Sequence, residues 1–423
     1  MNYKKEEIKK GVMLHTIKTD KYKTNLCAIF IATPLKRETV TLNALLGAIL
    51  RRGNKTLDSQ DKISKELEML YGASFDCGVE KTGDNHIMKF YLETLNTDYV
   101  PSKEDILEKG FQILTDIIFE PLIENEAFKP EYVEGEKKNL TQIINAKIDN
   151  KSKYAYERCI EEMYKNKPYG LYKFGYIEDL EKITPQTLYE YYKNLINNCK
   201  IDIFFSGEKT ENIKELVLNN SNIQKLNERD AEYVVNNETT EEIQPKEPNV
   251  IEESMQITQG KLVIGLDIME NAENSRFIAS VYNAVLGGGA NSKLFQNVRE
   301  KQSLAYTAGS GYIRVKNSIF IRCGIEIANY QKALDTINEQ LEDMKRGEFN
   351  DEDIQNSKEL ILASIEGITE EQDTEITYYY GQELADRFVS IDEYAKKISE
   401  VSKEQIVSLA NKTNVNTIYF LKD

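Results

Sequence analysis

The stretch TLNALLGAILRRGNKT, from Thr41 to Thr56, repeats its apolar residues with a helical period and ends in a glycine-containing turn. One stripe of the predicted helix is apolar and has members at spacings of three and four: Leu42, Leu45, Leu46 and Ile49. A second face has small residues at the same spacing: Ala44, Gly47 and Ala48. The pattern predicts a packed amphipathic helix, one of whose faces is free of reactive side chains.

The pattern of helices and strands occurs twice along the chain, which indicates an internal repeat. A helix followed by a β-rich run begins at Ile183 and again at Val401. A helical segment begins at Phe128 and again at Phe349, and a predicted hairpin begins at Ser74 and again at Thr307. The three pairs occur in the same order, so each half is expected to have the same succession of strands and helices.

Hairpins combined with helices predict an α+β fold, made of two homologous sandwich repeats with an antiparallel sheet and helices packed on one face. A polar, charged stretch separates the halves and is predicted to be a linker. We therefore expect an N-terminal repeat at residues 1–218, a linker at 219–254 and a C-terminal repeat at 255–423.

The net charge of −16 argues against nucleic acid and anionic membranes as main partners, although it is compatible with basic peptides. The N-terminal residues have no apolar signal-peptide core, and no apolar run is long enough to span a membrane. Five scattered cysteines without a CxxC pair are typical of reduced thiols. Together these features predict a cytoplasmic protein.

The chain has two histidines, His15 and His86, 71 positions apart in sequence number. A two-histidine zinc motif places its imidazoles one helical turn apart, so neither HExxH nor HxxEH is present. Both histidines lie in predicted strands, where we expect structural roles.

In its repeat, the Thr41–Thr56 helix is the first after the N-terminal strands, and a second helix and a hairpin follow it. In this arrangement the chain resembles the M16 metallopeptidases, the family of the insulinases and mitochondrial processing peptidases. The resemblance implies the M16 metallohydrolase fold. It also aligns the family's HxxEH motif with Ala44-Leu45-Leu46-Gly47-Ala48.

By this resemblance, alanines occupy the positions of both metal histidines, and Gly47 occupies that of the general-base glutamate. The family's later glutamate ligand falls on or next to Ile143, which follows Gln142. We expect no metal in this chain. The glycine at position 47 is expected to reflect close packing, or room for something opposite.

The second half resembles the family more closely, in the segment LGGGANSKLFQNVREKQSLAYTAGSGYI from Leu286. Arg299 and Tyr306 match an arginine and a tyrosine that, in active members, reach the substrate at the metal site. Both side chains can donate hydrogen bonds to a developing oxyanion. The alternative is local: an ion pair for Arg299 and packing at a helix–strand junction for Tyr306.

The glycine run in this segment has two interpretations. Gly287, Gly288 and Gly289 either end the preceding helix with positive φ, or form a loop that touches a bound peptide, as in some family members.

Members of the family work as four similar domains in one long or two short chains, and this chain has two. The leading hypothesis is a non-catalytic subunit of a two-chain zinc peptidase, with Arg299, Tyr306 and half of a peptide-binding chamber completing a partner that has HxxEH and zinc. The alternative is a zinc-free homodimeric scaffold that binds a peptide or protein. An active hydrolase with an unconventional site is the third and weakest possibility.

Overall fold

A computed structural model describes residues 2–101, 105–235, 247–270 and 274–423. The strands are β1 (Tyr3–Lys9), β2 (Val12–Lys18), β3 (Thr24–Pro34), β4 (Ser74–Thr82), β5 (Asn85–Leu95), β6 (Ile123–Glu124), β7 (Ala127–Phe128), β8 (Lys200–Gly207), β9 (Asn249–Ser254), β10 (Gly260–Ile268), β11 (Ala305–Ile313), β12 (Ser318–Ile325) and β13 (Thr413–Lys422).

The helices of the first half are α1 (Val40–Leu50), α2 (Gln60–Met69), α3 (Ile106–Phe119), α4 (Pro130–Asn145), α5 (Lys151–Met163), α6 (Ile177–Leu180), α7 (Pro185–Asn198), α8 (Ile213–Asn219) and α9 (Ser221–Lys225). Those of the second half are α10 (Ser275–Gly287), α11 (Tyr330–Arg346), α12 (Asp351–Glu366), α13 (Gln372–Leu384), α14 (Ile391–Ser399) and α15 (Lys403–Ala410), with a π-helix at Phe295–Lys301 between α10 and β11.

The two main sheets have the same topology. The first has the order β1-β2-β8-β3-β5-β4, and the second, read from its other edge, has the order β9-β13-β10-β12-β11. Each has one parallel pair, β2 with β8 and β9 with β13, and is otherwise antiparallel. Apart from β1, every strand of the first sheet therefore has an equivalent in the second.

The central strands of the first sheet are apolar on both faces. β3 is buried along most of its length, and β8 is buried after its first residue. A continuous apolar run of this kind needs cover on both sides of the sheet. One face packs on the main core with α1, α3, α4 and α7, and the other face is covered by α13.

Each compact unit includes a helix from the opposite half of the sequence. Unit 1 comprises Met1–Ala146, Leu171–Val235 and Gln372–Leu384, and unit 2 comprises Lys147–Gly170, Asn236–Glu371 and Ala385–Asp423. In unit 1, Tyr380 of α13 packs 4.5 Å from the ring of Phe30. In unit 2, α5 covers the second face of its sheet, where Tyr164 and Ser318 share a buried hydrogen bond of 2.6 Å.

The predicted α+β class is confirmed, and all three predicted pairs of segments form matching elements. They correspond to α7–β8 and α15–β13, to α4 and α12, and to the hairpins β4–β5 and β11–β12. Two features were not predicted from the sequence: the helix that covers the second face of each sheet, and the one parallel pair of strands in each sheet. The repeat boundaries near 218 and 255 stay a prediction. Within 219–254, α9 and β9 are regular elements, and residues 236–246 lie outside the described part of the chain.

Candidate functional site

The predicted first helix is α1, and its small-residue face is largely buried. Ala44 and Gly47 are buried and Ala48 is half-buried. A Cβ built on Gly47 would lie 3.5 Å from Cγ1 of Val79, which is an ordinary contact distance. An alanine would therefore fit at this position, so close packing does not explain Gly47, and the alternative, room for something opposite, stays a prediction.

The helix that the resemblance assigns to the third metal ligand is α4. Ile143 on this helix is 46% exposed and has no donor atom for a metal. Glu136 of α4 is buried, and its carboxylate pairs with Arg52 just beyond α1. Asn139 also donates a hydrogen bond of 3.2 Å to Glu136. The buried carboxylate of α4 is thus neutralised by side chains.

His86 lies in β5 and has both ring nitrogens hydrogen-bonded. Nδ2 of Asn43, an amide donor on α1, lies 3.1 Å from Nδ1, and the carbonyl oxygen of Lys173 lies 2.9 Å from Nε2. The ring must therefore accept at Nδ1 and donate from Nε2, which is the neutral tautomer. Burial lowers the pKa of His86 to about 4.

His15 lies in β2 and is similarly engaged. Its Nε2 is 2.8 Å from Oδ1 of Asp202, and its Nδ1 is 2.7 Å from the hydroxyl of Tyr3. The ring stacks on Phe204 at a centroid distance of 4.2 Å. The predicted structural role of both histidines is confirmed.

The residues at the family's zinc position do not fit a metal ion. Neither alanine nor glycine on α1 has a donor atom, and both imidazoles are used elsewhere. Within the described ranges, no group of three or more His, Cys, Asp or Glu side chains is placed to hold a metal ion.

Arg299 lies in the π-helix that follows the glycine run. π-Helices are rare in proteins, and many of those that do occur are found at functional sites. The guanidinium stacks on the ring of Phe295, 4.5 Å from its centroid, and lies 3.6 Å from the carboxylate of its neighbour Glu300. The side chain is 42% exposed. The predicted local ion pair therefore exists, but it is a long contact between two exposed side chains and contributes little stability.

Tyr306 lies at the start of β11, where the strand register with β12 shifts between Ala305 and Thr307. Its side chain is 61% exposed. Ser303, in the turn before it, has a φ of 53°, a left-handed conformation that is uncommon for a residue with a side chain. The turn and the register shift direct Tyr306 outward, so the predicted packing at a helix–strand junction is wrong.

The glycine run ends α10 without positive φ. Gly287 is the last residue of α10, and Gly288 follows with a φ of −82°. A Cβ on Gly287 would lie 2.6 Å from the backbone nitrogen of Ser310, and one on Gly288 would lie 2.6 Å from Cα of Ala284. The predicted left-handed cap is therefore wrong, because none of the three glycines has a positive φ. Gly287 permits the close approach of α10 to β11, and Gly288 permits the chain to turn tightly against Ala284 of α10 itself. Gly289 would place its Cβ 3.2 Å from Leu360, and the predicted peptide contact stays a prediction.

A polar cluster beside α1 was missed by sequence reasoning. Asn43 donates to Thr33 at 3.0 Å and accepts a hydrogen bond of 2.6 Å from the hydroxyl of Tyr191, in addition to its contact with His86. Asn43 interrupts the apolar pattern of the helix, which was the available signal. Its partners are distant in sequence, so the pattern alone could not identify them.

The five cysteines are free thiols, as predicted. Burial raises the pKa of Cys77 to about 11 and that of Cys27 to about 12, so neither is a reactive thiolate at neutral pH. In the part of the chain that is described, every helix is too short or too polar to cross a lipid bilayer.

Similarity to known proteins identifies the family. A family model described as "Peptidase M16 inactive domain" matches residues 182–361, a range that includes Arg299 and Tyr306. A Bacillus subtilis protein named "Probable inactive metalloprotease YmfF" is 35% identical over 413 residues, which cover 97% of this chain and 96% of that protein. The chain belongs to the M16 family.

Two further proteins match nearly the whole chain. "Uncharacterized zinc protease YmxG", also from Bacillus subtilis, is 21% identical over 395 residues, covering 90% of this chain and 88% of that protein. The crystal structure of a conserved protein from Enterococcus faecalis superposes with a TM-score of 0.88 and 26% identity, covering 100% of this chain and 99% of that one. The M16 fold and the relationship to an inactive homologue are thus confirmed.

Proposed function

We propose that this chain is a non-catalytic subunit of a two-chain M16-type peptidase, in which a partner subunit provides HxxEH and zinc. The observation on which the proposal depends is a contrast within one chain. α1 has no metal ligand or base at the family's positions, whereas the Arg299–Tyr306 motif is intact and exposed.

The chemistry of the two exposed side chains fits substrate binding. The phenol and the guanidinium are both hydrogen-bond donors, and a peptide carbonyl acquires negative charge as it is attacked. Stacking on Phe295 orients the guanidinium plane of Arg299 while its edge remains available to donate. A donor oriented before the reaction, as Arg299 is by Phe295, would stabilise that charge with little reorganisation.

The relatives also support a two-chain arrangement. Bacillus subtilis has both a relative named as an inactive metalloprotease and one named as a zinc protease. We infer that the present chain has a similar zinc-bearing counterpart in its own cell. The peptide would bind in a chamber whose wall this chain forms in part, with Gly287–Gly289 near the bound peptide. The cytoplasm is the proposed location.

The first test is purification of the tagged full-length chain from its native cell, with partner identification and a zinc measurement on the same sample. An equimolar partner bearing HxxEH and one zinc per pair is expected. A zinc-free homodimer would contradict the proposal and support the alternative, a peptide- or protein-binding scaffold.

The second test compares Arg299→Gln with Lys301→Gln, both on the π-helix and both removing one positive charge. We expect Arg299→Gln to lower the kcat/KM of the complex at least about tenfold, as for other donors to a developing oxyanion. Lys301→Gln should leave it unchanged, and both variants should still assemble. Equal activity of the two variants in the intact complex would refute the role of Arg299.

A further inference from the structure

Unit 2 contains a cavity of about 440 Å³. The residues that line it are different from those to which the proposed function assigns a role. The cavity lies between the first turn of α5 and one face of β10, β12 and β11. The N-cap residue Asn150 and, from α5, Ser152 and Lys153 line one side of it, and Lys261, Arg322 and Thr307 line it from the three strands.

The strand register explains why the cavity is open. Lys261 pairs with Gly324, and Gly324 pairs with Thr307, so all three residues face the same side of the sheet. Arg322 lies two residues before Gly324 and faces that side too. Gly309, opposite Arg322, adds no side chain to the floor. Further along the same face, α5 packs closely, with Cys159 against Val263.

The lining of this cavity is positive although the chain is acidic. Lys153, Lys261 and Arg322 contribute three cations, and no carboxylate of the described residues is within ion-pair distance of any of them. Lys261 donates instead to the side-chain oxygen of Gln259, and the Arg322 guanidinium lies 5.2 Å from the ring centre of Tyr156.

The carboxylate of Glu157 also lines the cavity. It lies 3.7 Å from the ammonium of Lys147, which is outside the lining and pairs more closely with Glu161. The lining itself therefore has three cations, Lys153, Lys261 and Arg322, and one carboxylate, which leaves a positive excess. Burial lowers the pKa of Lys261, as expected for a cation without a carboxylate partner.

We propose that this cavity binds the phosphate group of a small molecule or free phosphate. A dianion matches the positive excess better than a single carboxylate would. Arg322 offers the planar fork that suits phosphate oxygens, and the two lysines add point charges. The hydroxyls of Ser152 and Thr307 can donate as well, because the Thr307 oxygen accepts from the backbone nitrogen of Gly324 and leaves its own hydrogen free.

The size and position of the cavity support this ligand class. Its volume falls in the range of small-molecule sites, roughly 300–1,000 Å³. It adjoins the start of α5, a helix of 13 residues whose first amides favour negative charge. The proposal does not depend on a zinc-bearing partner, so its failure and that of the proposed function are separate outcomes.

The test is isothermal titration calorimetry of the full chain in a phosphate-free buffer, with inorganic phosphate and phenyl phosphate as separate probes. The variants are Arg322→Gln, Lys153→Gln and, as a control with the same change of charge, Lys332→Gln on α11. Thermal unfolding of each variant without ligand checks that the fold is retained.

We expect saturable binding of one phosphate group per chain, weakened at least about tenfold by Arg322→Gln or Lys153→Gln and unchanged by Lys332→Gln. Tighter binding of phenyl phosphate would identify a phosphorylated organic ligand, and equal binding would identify phosphate itself. No saturation at millimolar concentration, or equal weakening by Lys332→Gln, would overturn the proposal.

Discussion

Arg52, two residues beyond the end of α1, forms an ion pair with Glu136 of α4, a residue that is 6% exposed. α1 and α4 are the two helices to which the family resemblance assigns the zinc ligands. In this chain a salt bridge and apolar packing join them. At Ala44, Ala48 and Ile143, where the resemblance places metal ligands, the side chains are apolar, and the polar connection between the two helices is made by Arg52 and Glu136.

Arg52→Gln should lower the free energy of unfolding by about 2 kcal/mol, because Glu136 would remain buried without its cation. Arg51→Gln removes the same charge from the neighbouring, exposed position and should change it by less than about 0.5 kcal/mol. Urea denaturation of both variants measures the difference. If the two variants lost the same free energy of unfolding, the Arg52–Glu136 ion pair would contribute no more stability than the removal of any positive charge from this segment.

His86 should make stability depend on pH. Its pKa in the folded protein is lowered to about 4, against the ordinary unfolded value near 6.5. The unfolded chain therefore binds more protons between these values. The stabilisation is fully present above pH 6.5 and is lost as the pH falls toward 4.

Lowering the pH from about 7 to 5 should cost about 2 kcal/mol through this residue alone. Denaturation curves at several pH values, for the natural chain and for His86→Gln, measure the effect. The variant is expected to be less stable at neutral pH and to show a shallower pH dependence. An identical slope in both proteins would exclude His86 as its source.

Gly47→Ala should stabilise unit 1 by up to about 1 kcal/mol, because alanine favours the helix and its methyl group meets only an ordinary contact. Gly110→Ala on α3 is the contrasting variant, since its Cβ would lie 2.8 Å from side chains of Leu92 and Thr94. It should be destabilising. Thermal unfolding of the two variants tests the prediction, and a loss of stability in Gly47→Ala would restore close packing as the reason for that glycine.

Gly287→Ala should destabilise unit 2 by about 2 kcal/mol, because the new methyl group would collide with the backbone of Ser310 and force α10 away from β11. Gly367→Ala, where no atom lies within 4 Å of the added Cβ, is the control and should be nearly neutral. Chemical denaturation distinguishes them. If both variants unfold at the same denaturant concentration, the contact between position 287 and the backbone of Ser310 leaves room for a methyl group, and the steric argument is wrong.

Local sequence features predicted most of the individual elements. The helical period of Thr41–Thr56 gave α1, and the paired polar turns gave the hairpins β4–β5 and β11–β12. The prediction of positive φ for Gly287–Gly289 was wrong because glycine serves two purposes, positive φ and close approach, and only the contact with Ser310 shows that Gly287 serves the second. The match of Tyr306 to the family motif stays a prediction, and its exposure accompanies a shift of strand register that the motif does not reveal.

The sequence by itself determined the repeated order of elements and the absence of metal-binding side chains at positions 44 to 48, because residue identity and periodicity are local properties. Only the tertiary structure decided which sheet α5 and α13 cover. An apolar stripe shows that a helix must be buried but does not specify its partner. The same holds for Arg52 with Glu136 and for the three cations of the cavity, since ion pairing and electrostatic attraction act through space between residues far apart in the chain.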